Sequence, residues 1–520
     1  MKRRLAEAAR AMGGRVVRGD GEARFDGASF DSREIEGGEL FFALPGEQSD
    51  GHRFVSAALE AGAAAAVVHE DVELSADVPE AAALIRVEDS YAALHALVDQ
   101  YRDAGMPPRL VSITGSAGKT TTKELLAAIL GHSLRVAKNE GNLNNLYGYP
   151  LSVLRIPEDS EWMVAEMGMS SAGELSRLSR LGRPDVVVYT CVKPVHLEFF
   201  DSVEGIAAAK AELLEAIAPH GRVVANADDA HVRRFVQAWA DGPGSPERVT
   251  WYGRGRAGGD GEAPGPDAPG VIALNVTARE VTASDDGRPG SRFTIDVHDL
   301  DTGDLDTGDL GEAGGEAASR AGSFEVRLGL HGDYNVDNAL AAAATALTLG
   351  VSPDDVTAGL AAARAAAGRG IVHDLPGGGL LIDDTYNSNP DALDRALGSA
   401  ASLAADAGGG EGGLWAVLGD MLELGPDAPR FHREAGHRAA ELGFSPVAGV
   451  GELSHELTTA ASEAGTEAPW FEDAAGAADW AADRLAAGDV VLVKGSRGIG
   501  LDAVVEAILA SADEHRRETA

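Results

Sequence analysis

Short apolar runs alternate with alanine-rich stretches of helical spacing along most of the chain. Within the first hundred or so residues, 39–44 and 64–68 predict strands, and Phe54 to Ala61 predicts a helix. Met106, Pro107 and Pro108 then break the pattern and mark a boundary. From residue 109 a new alternation begins. Leu110, Val111 and Ile113 read as the end of a buried strand, and Lys119 to His132 as a helix carrying Leu125, Leu126, Ile129 and Leu130 on one face. Further strands are predicted at Trp162–Glu166, Val186–Thr190 and Arg222–Ala225, with helices between them. That order is the signature of a mostly parallel sheet covered on both faces.

Residues 253–322 interrupt this rhythm. A Gly/Pro/Asp-rich stretch runs to Gly270, and residues 300–310 repeat a five-residue Asp-Thr-Gly-Asp-Leu unit. Such segments bury too little to offset the entropy of ordering, so they read as acidic surface insertions near 253–270 and 298–322. The repeat lacks the glycine-and-ligand spacing of an EF-hand loop, which favours a solvated loop over a Ca²⁺ site. Strands are predicted at Val271–Ala278, Arg292–Val297 and Phe324–Leu330, then a loop into a helix over His331–Leu349 and a helix at Asp354–Ala367. After Gly368-Arg369-Gly370, strands at Leu380–Asp383, Trp415–Leu418, Val447–Val450 and Val490–Val493 are each followed by a helix. The expected fold class is α/β in three domains: an α/β domain at 1–107, a central mostly parallel sheet of P-loop ATPase type at 108–367, and a Rossmann-like domain at 368–520.

Composition narrows the function. The 520 residues are 44% hydrophobic, enough for several cores. A single cysteine, Cys191, excludes an intramolecular disulfide and suits a reducing compartment. The N-terminus lacks a signal-peptide core, and no apolar run reaches the ~18 residues of a membrane span. A cytoplasmic chain without membrane insertion is expected, with a monomer as the default state. The 44 basic and 82 acidic residues leave a net charge of −38, which argues against nucleic acid as a partner. Only seven of the basic residues are lysine, and three of them, Lys119, Lys210 and Lys494, fall inside candidate sites. An acidic, lysine-poor surface suits a salt-rich cytoplasm, whereas codon bias accounts equally well for the arginine and alanine excess.

The candidate chemistry centres on Thr114-Gly115-Ser116-Ala117-Gly118-Lys119-Thr120, which lies between strand and helix. Glycines there let backbone N–H groups turn around a polyphosphate at a helix N-terminus, while Lys119 reaches the terminal phosphates and Thr120 offers its hydroxyl to Mg²⁺. The spacing departs from the common P-loop pattern, which would place glycine where Ile113 stands. Glu166 ends a strand, the usual position for a Mg²⁺ ligand beside a phosphate loop, and His196 follows another strand. Lys210 sits in a small, apolar helix. An ammonium has no lone pair for a metal, so by itself it reads as a snorkelling surface lysine. Polar loops after three strands of the last domain, at 383–390, 418–425 and 494–498, together form a ligand rim.

TGSAGKT at 114–120, Glu166, HLEFF at 196–200 and AKAELL at 209–214 together resemble the ATP-dependent Mur ligases of peptidoglycan synthesis. GNLNNLYGYPL at 141–151, DDTYNSNP at 383–390, LGDMLELG at 418–425 and KGSR at 494–497 are similar to the member type that joins D-alanyl-D-alanine to UDP-N-acetylmuramoyl-tripeptide. FDSR at 30–33 and GELFFALPGEQSDGHRF at 38–54 resemble a UDP-binding domain shared by two member types, and the Asp-Asn-Pro-Arg signature of the diamino-acid-adding type is missing.

The resemblance implies that residues 114–120 bind ATP, with Thr120 and Glu166 on Mg²⁺ and His196 positioning a second ion. It also implies a carbamylated Lys210, whose new carboxylate-like group can ligand a metal. Asn338 would contact adenine, Arg369 and Asp384 would close on the nucleotide, Ser32 and Arg33 would lie by the uridine diphosphate, and Asn142 and Asn145 by the sugar-peptide. Lys119, His196 and Lys210 would carry catalysis, and hinges are expected near Pro107 and Gly368. Two positions depart from the family pattern: Cys191 stands in place of Asn, and Val195 in place of Ala. The alternatives are another amide ligase of the superfamily, such as the diamino-acid-adding type or folylpolyglutamate synthase, and a nucleotide-binding scaffold without catalysis.

Overall fold

The computed structural model describes residues 3–46, 49–104, 109–194, 199–254, 275–283, 290–298, 300, 322–406 and 412–519. By its internal contacts the chain divides into two units. One comprises Met1–Thr114, Ser133–Val188 and Ala209–Arg222; the other comprises Gly115–His132, Tyr189–Ala208 and Val223–Ala520.

In the first unit a five-stranded sheet runs in the order Arg15–Arg18, Ala83–Arg86, Ala65–Val68, Leu40–Phe42, Ala28–Ser29. Only the first of its pairings is antiparallel. Leu40, Phe41 and Phe42 are fully buried, as a strand covered on both faces requires. The same unit sets Trp162–Glu166 between Arg109–Thr114 and Val136–Lys138, parallel to both. Glu166 is in register with Ile113, one residue before the strand runs into the glycine loop.

In the second unit Arg222–Asn226, Val249–Gly253 and Val276–Ala283 pair in parallel. Val276–Ala283 then pairs antiparallel with Ser291–Val297, which pairs antiparallel with Gly322–Leu328. The expected strand at Val271–Ala278 is described from Val276 and extends beyond its expected end to Ala283, past a register shift between Arg279 and Thr282. Residues 271–274 lie outside the described residues, as do most of both predicted insertions and Pro107.

A six-stranded sheet closes the chain, in the order Ile371–Asp374, Leu380–Asp384, Val490–Lys494, Leu414–Gly419, Val447–Val450, Trp470–Phe471. Its central pairings are parallel, so the three polar loops leave from one edge. The helix expected over Asp354–Ala367 spans only Pro353–Ala362. Arg364 ends it by donating one guanidinium nitrogen to the carbonyls of Ala362 and Ala363, both at 2.9 Å. Among the described residues no helix is long and apolar enough to cross a membrane.

Candidate active site

The glycine loop is shaped by contacts that leave no room for larger residues. A Cβ on Gly115 would lie 1.8 Å from Thr190 Oγ1, a hydroxyl that donates to the Ala117 carbonyl at 2.6 Å. Gly118 takes φ +83°, and a Cβ there would meet Asn338 Oδ1 at 2.2 Å. Gly118 is also the N-cap of the Lys119–Leu130 helix and brings no side-chain acceptor, so the positive helix end faces the loop. Ser116 fixes the loop from the other side: its N–H donates to the Cys191 carbonyl at 2.8 Å, and its hydroxyl donates to the Lys193 carbonyl and accepts from the Lys193 N–H.

Cys191 takes part in these contacts through its backbone carbonyl. The segment carrying Cys191 holds the loop through its backbone, so an amide side chain is not needed for that task. Desolvation pushes the Cys191 thiol up, which keeps it protonated and unreactive, and it reaches Ala117 O only weakly at 3.7 Å.

The structure gathers several expected nucleotide residues around this loop. Lys119 Nζ donates to the Gly115 carbonyl at 2.8 Å, folded over the turn. Arg369 Nη2 donates to Thr120 Oγ1 at 3.2 Å, and its guanidinium lies 3.9 Å over the Tyr386 ring. Asn338 is buried against Gly118 and donates to Asn335 Oδ1 at 3.3 Å. Gly368, at φ +65°, accepts from the Tyr386 N–H at 3.0 Å, which ties the start of the last module to its first polar loop.

Asp384 is an ion-pair partner rather than a bare carboxylate. Buried Lys494 donates to it at 2.6 Å and to the Asn387 carbonyl at 2.9 Å. Burial, helped by the Asp384 charge, pushes the phenol of adjacent Tyr334 up, so it stays protonated. Ser496 accepts from the Leu422 N–H at 3.0 Å and donates its own N–H to the Asp420 carbonyl, so the three polar loops of the last sheet do form one rim.

In the first unit, Glu166 is 2% exposed and its Oε1 accepts from Asn144 Nδ2 at 2.8 Å. Asn139, fully buried, clamps the Glu166 backbone from both sides, accepting its N–H at 3.0 Å and donating to its carbonyl at 3.1 Å. Asn144 belongs to the 141–151 motif, of which only Asn142 and Asn145 were singled out, and Asn139 lies just before it. Asn145 spends its amide oxygen locally, accepting from the Tyr147 and Gly148 N–H groups at a helix start, whereas Asn142 is exposed. No local pattern in the sequence links Asn139 and Asn144 to Glu166, which lies more than twenty residues further along the chain.

Lys210 corrects the snorkelling reading: it is 3% exposed on the Val203–Ala211 helix. Two residues on, Glu212 accepts from the Gly173 N–H at 2.8 and 3.0 Å and from the Ser176 N–H at 3.2 Å, capping the Glu174–Gly182 helix. Ser32 and Arg33 begin a short 3-10 turn. Asp31 caps that turn and pairs with Arg33, which holds the Asp31 carboxyl below its usual range. His196 and Val195 lie outside the described residues.

A lysine–threonine pair opening a helix behind a two-glycine turn, at the carboxyl end of a parallel strand, defines an α/β phosphate-loop nucleotide-binding protein. Family comparisons agree. Residues 24–102 match the Mur ligase family catalytic domain, 113–255 the Mur ligase middle domain, and 368–497 the Mur ligase glutamate ligase domain. The chain is similar to the UDP-N-acetylmuramoyl-tripeptide–D-alanyl-D-alanine ligases of Bacillus subtilis (30% identical, covering 93% of each chain) and Mycobacterium tuberculosis (33%, covering 92% of this chain and 91% of that one). A crystal structure of MurF from Acinetobacter baumannii superposes with a TM-score of 0.78 at 26% identity, covering 98% of this chain and 99% of that one. The chain belongs to the Mur ligase family.

Proposed function

We propose that this chain is an ATP-dependent peptide ligase that joins D-alanyl-D-alanine to UDP-N-acetylmuramoyl-tripeptide in the cytoplasm, acting as a monomer. The observation that carries the reading is likeness over more than nine-tenths of the chain to relatives bearing that activity in their names.

A carboxylate is a poor electrophile and must be activated before an amine can displace its oxygen. One oxygen of the tripeptide's terminal carboxylate attacks the γ-phosphorus of ATP, the bond to the β-phosphate oxygen breaks, and ADP leaves. The amine of D-alanyl-D-alanine then attacks the acyl carbon, the C–N bond forms, the C–O bond to phosphate breaks, and the amine loses a proton. The glycine loop holds the polyphosphate through backbone N–H groups, and Lys119 moves from the Gly115 carbonyl onto the terminal phosphates. Arg369 and Asn338 line the same loop on the nucleotide side, with Asp384 at the rim.

Thr120 and Glu166 would each offer Mg²⁺ a hard oxygen donor, the one a hydroxyl and the other a buried, oriented carboxylate. When bound, Mg²⁺ screens the repulsion between the two anionic reactants. His196 and Lys210 would hold a second ion. The buried ammonium of Lys210 cannot do so, whereas its carbamate can, and the burial of this lysine supports that modification. Ser32 and Arg33 serve the uridine diphosphate, and Asn142 serves the sugar-peptide, while Asn145 positions that segment.

The test is ligation by the purified protein with ATP, UDP-N-acetylmuramoyl-tripeptide and a panel of amines. The expected product has the mass of the D-alanyl-D-alanine adduct. Preferential transfer to a diamino acid, lysine or glutamate, or amine-independent phosphate release alone, would overturn the assignment.

A further inference from the structure

We infer that Arg497 binds the free carboxylate of the incoming dipeptide and so sets the enzyme's preference for an amine substrate that ends in an acid. This rests on the ligase reading above.

Arg497 is exposed on the rim of the last sheet, in the turn after Lys494. Its neighbours are fixed. Lys494 is locked to Asp384 and the Asn387 carbonyl, and Ser496, 5% exposed, is tied to Leu422 and Asp420. In a chain of 82 acidic and 44 basic residues, exposed guanidiniums such as those of Arg33, Arg183 and Arg430 find a carboxylate. Among the described residues Arg497 makes no ion pair, and its guanidinium lies 5.1 Å over the Tyr386 ring. A cation held on a rigid turn and braced by an aromatic face is suited to an anionic ligand.

Position identifies which anion. Tyr386 also carries Arg369 at 3.9 Å, and Arg369 reaches Thr120 of the phosphate loop at 3.2 Å. Two guanidiniums thus share one ring, and one of them touches the loop where the acyl phosphate would form. In an extended dipeptide the amine and the carboxylate are roughly 7 Å apart, two residues of chain. The carboxylate of a dipeptide whose amine sits at the acyl carbon is assigned to the second guanidinium on that ring. Leu422, 41% exposed and packed beside Gly498, offers an apolar surface next to it for small side chains.

The experiment compares D-alanyl-D-alanine with D-alanyl-D-alaninamide, using wild-type, Arg497→Ala and Arg497→Lys enzymes. Wild type should favour the acid by roughly 10- to 100-fold in kcat/KM, the span expected for one charge-assisted contact. Arg497→Ala should raise KM for the acid by a similar factor, leave KM for ATP within about twofold, and erase the discrimination between acid and amide; Arg497→Lys should restore part of it. A purely structural role through Tyr386 would instead disturb ATP binding through Arg369 and keep the acid-to-amide ratio, and that result overturns the inference. Wild-type enzyme that ligates neither amine would sink the ligase reading itself, whereas active wild type with an Arg497→Ala variant that still discriminates sinks this inference alone.

Discussion

Gly118→Ala is the sharpest perturbation of the phosphate loop, because its cost can be split into two parts. The first is backbone: an L-residue held at φ +83° costs about 1–2 kcal/mol relative to glycine. The second is steric: the new methyl would sit 2.2 Å from Asn338 Oδ1 and must displace a buried amide from its bond to Asn335, for about 1 kcal/mol more. The total of roughly 2–3 kcal/mol appears as lost stability if the loop keeps its shape, or as ADP affinity weakened by about 30- to 150-fold if the loop yields. Calorimetric titration with ADP and a denaturant melt, run on the same preparations, capture both. The double variant Gly118→Ala/Asn338→Ala removes the obstructing amide, so only the backbone part should remain and the two changes should couple by about 1 kcal/mol. Strictly additive effects, or a Gly118→Ala enzyme with wild-type stability and ADP affinity, would refute the packing argument.

Other expectations follow from the same contacts. Asn144→Ala, which removes one hydrogen bond that orients the Glu166 carboxylate, should weaken Mg²⁺-dependent ADP binding by about tenfold while leaving Mg²⁺-free binding unchanged; equal losses in both would contradict the orienting role. Burial holds the imidazole of His432 below its usual pKa, with Nε2 accepting from the Met421 N–H and Nδ1 donating to the Ala428 carbonyl. Its stabilising contribution is therefore present above the unfolded value near ~6.5 and is lost as pH falls below it. The protection of the Met421 amide, taken relative to its intrinsic exchange rate at each pH, should fall under mild acid, and protection that stays constant would contradict this. With a net charge of −38, the melting temperature should rise by several degrees as KCl is raised to about 1 M, because screening relieves self-repulsion. A flat or falling profile would show that repulsion is not a major destabilising force here.

Strand ends were the most legible feature, because a buried strand that stops at a glycine or an acid has one reading. Trp162–Glu166 and Val447–Val450 occur as the pattern predicts, as does the helix starting at Lys119. The bulged strand at Val276–Ala283 was only half legible: Glu280, at φ +57°, breaks the period-two alternation on which the reading depends. Lys210 was misread on residue chemistry alone, because the alanines around it leave no polar face to mark which side meets solvent. Asn139 and Asn144 were hidden for a different reason. Their partner Glu166 is more than twenty residues away in sequence, and only the parallel pairing beside Val136–Lys138 and the return of the chain bring them to it. Asp420, in the polar loop at 418–425, turns its carboxylate to the Leu453 and Ser454 N–H groups and holds the next loop in place, a contact across more than thirty residues that no local pattern shows.

Following oxygen gives the most direct test of the central claim, that ATP primes a carboxylate for amide formation. UDP-N-acetylmuramoyl-tripeptide labelled with ¹⁸O in its terminal carboxylate, turned over with ATP and D-alanyl-D-alanine, should deliver one labelled oxygen to the released phosphate for each amide formed. Amide product accompanied by unlabelled phosphate would mean that no acyl phosphate forms, and the account would fall.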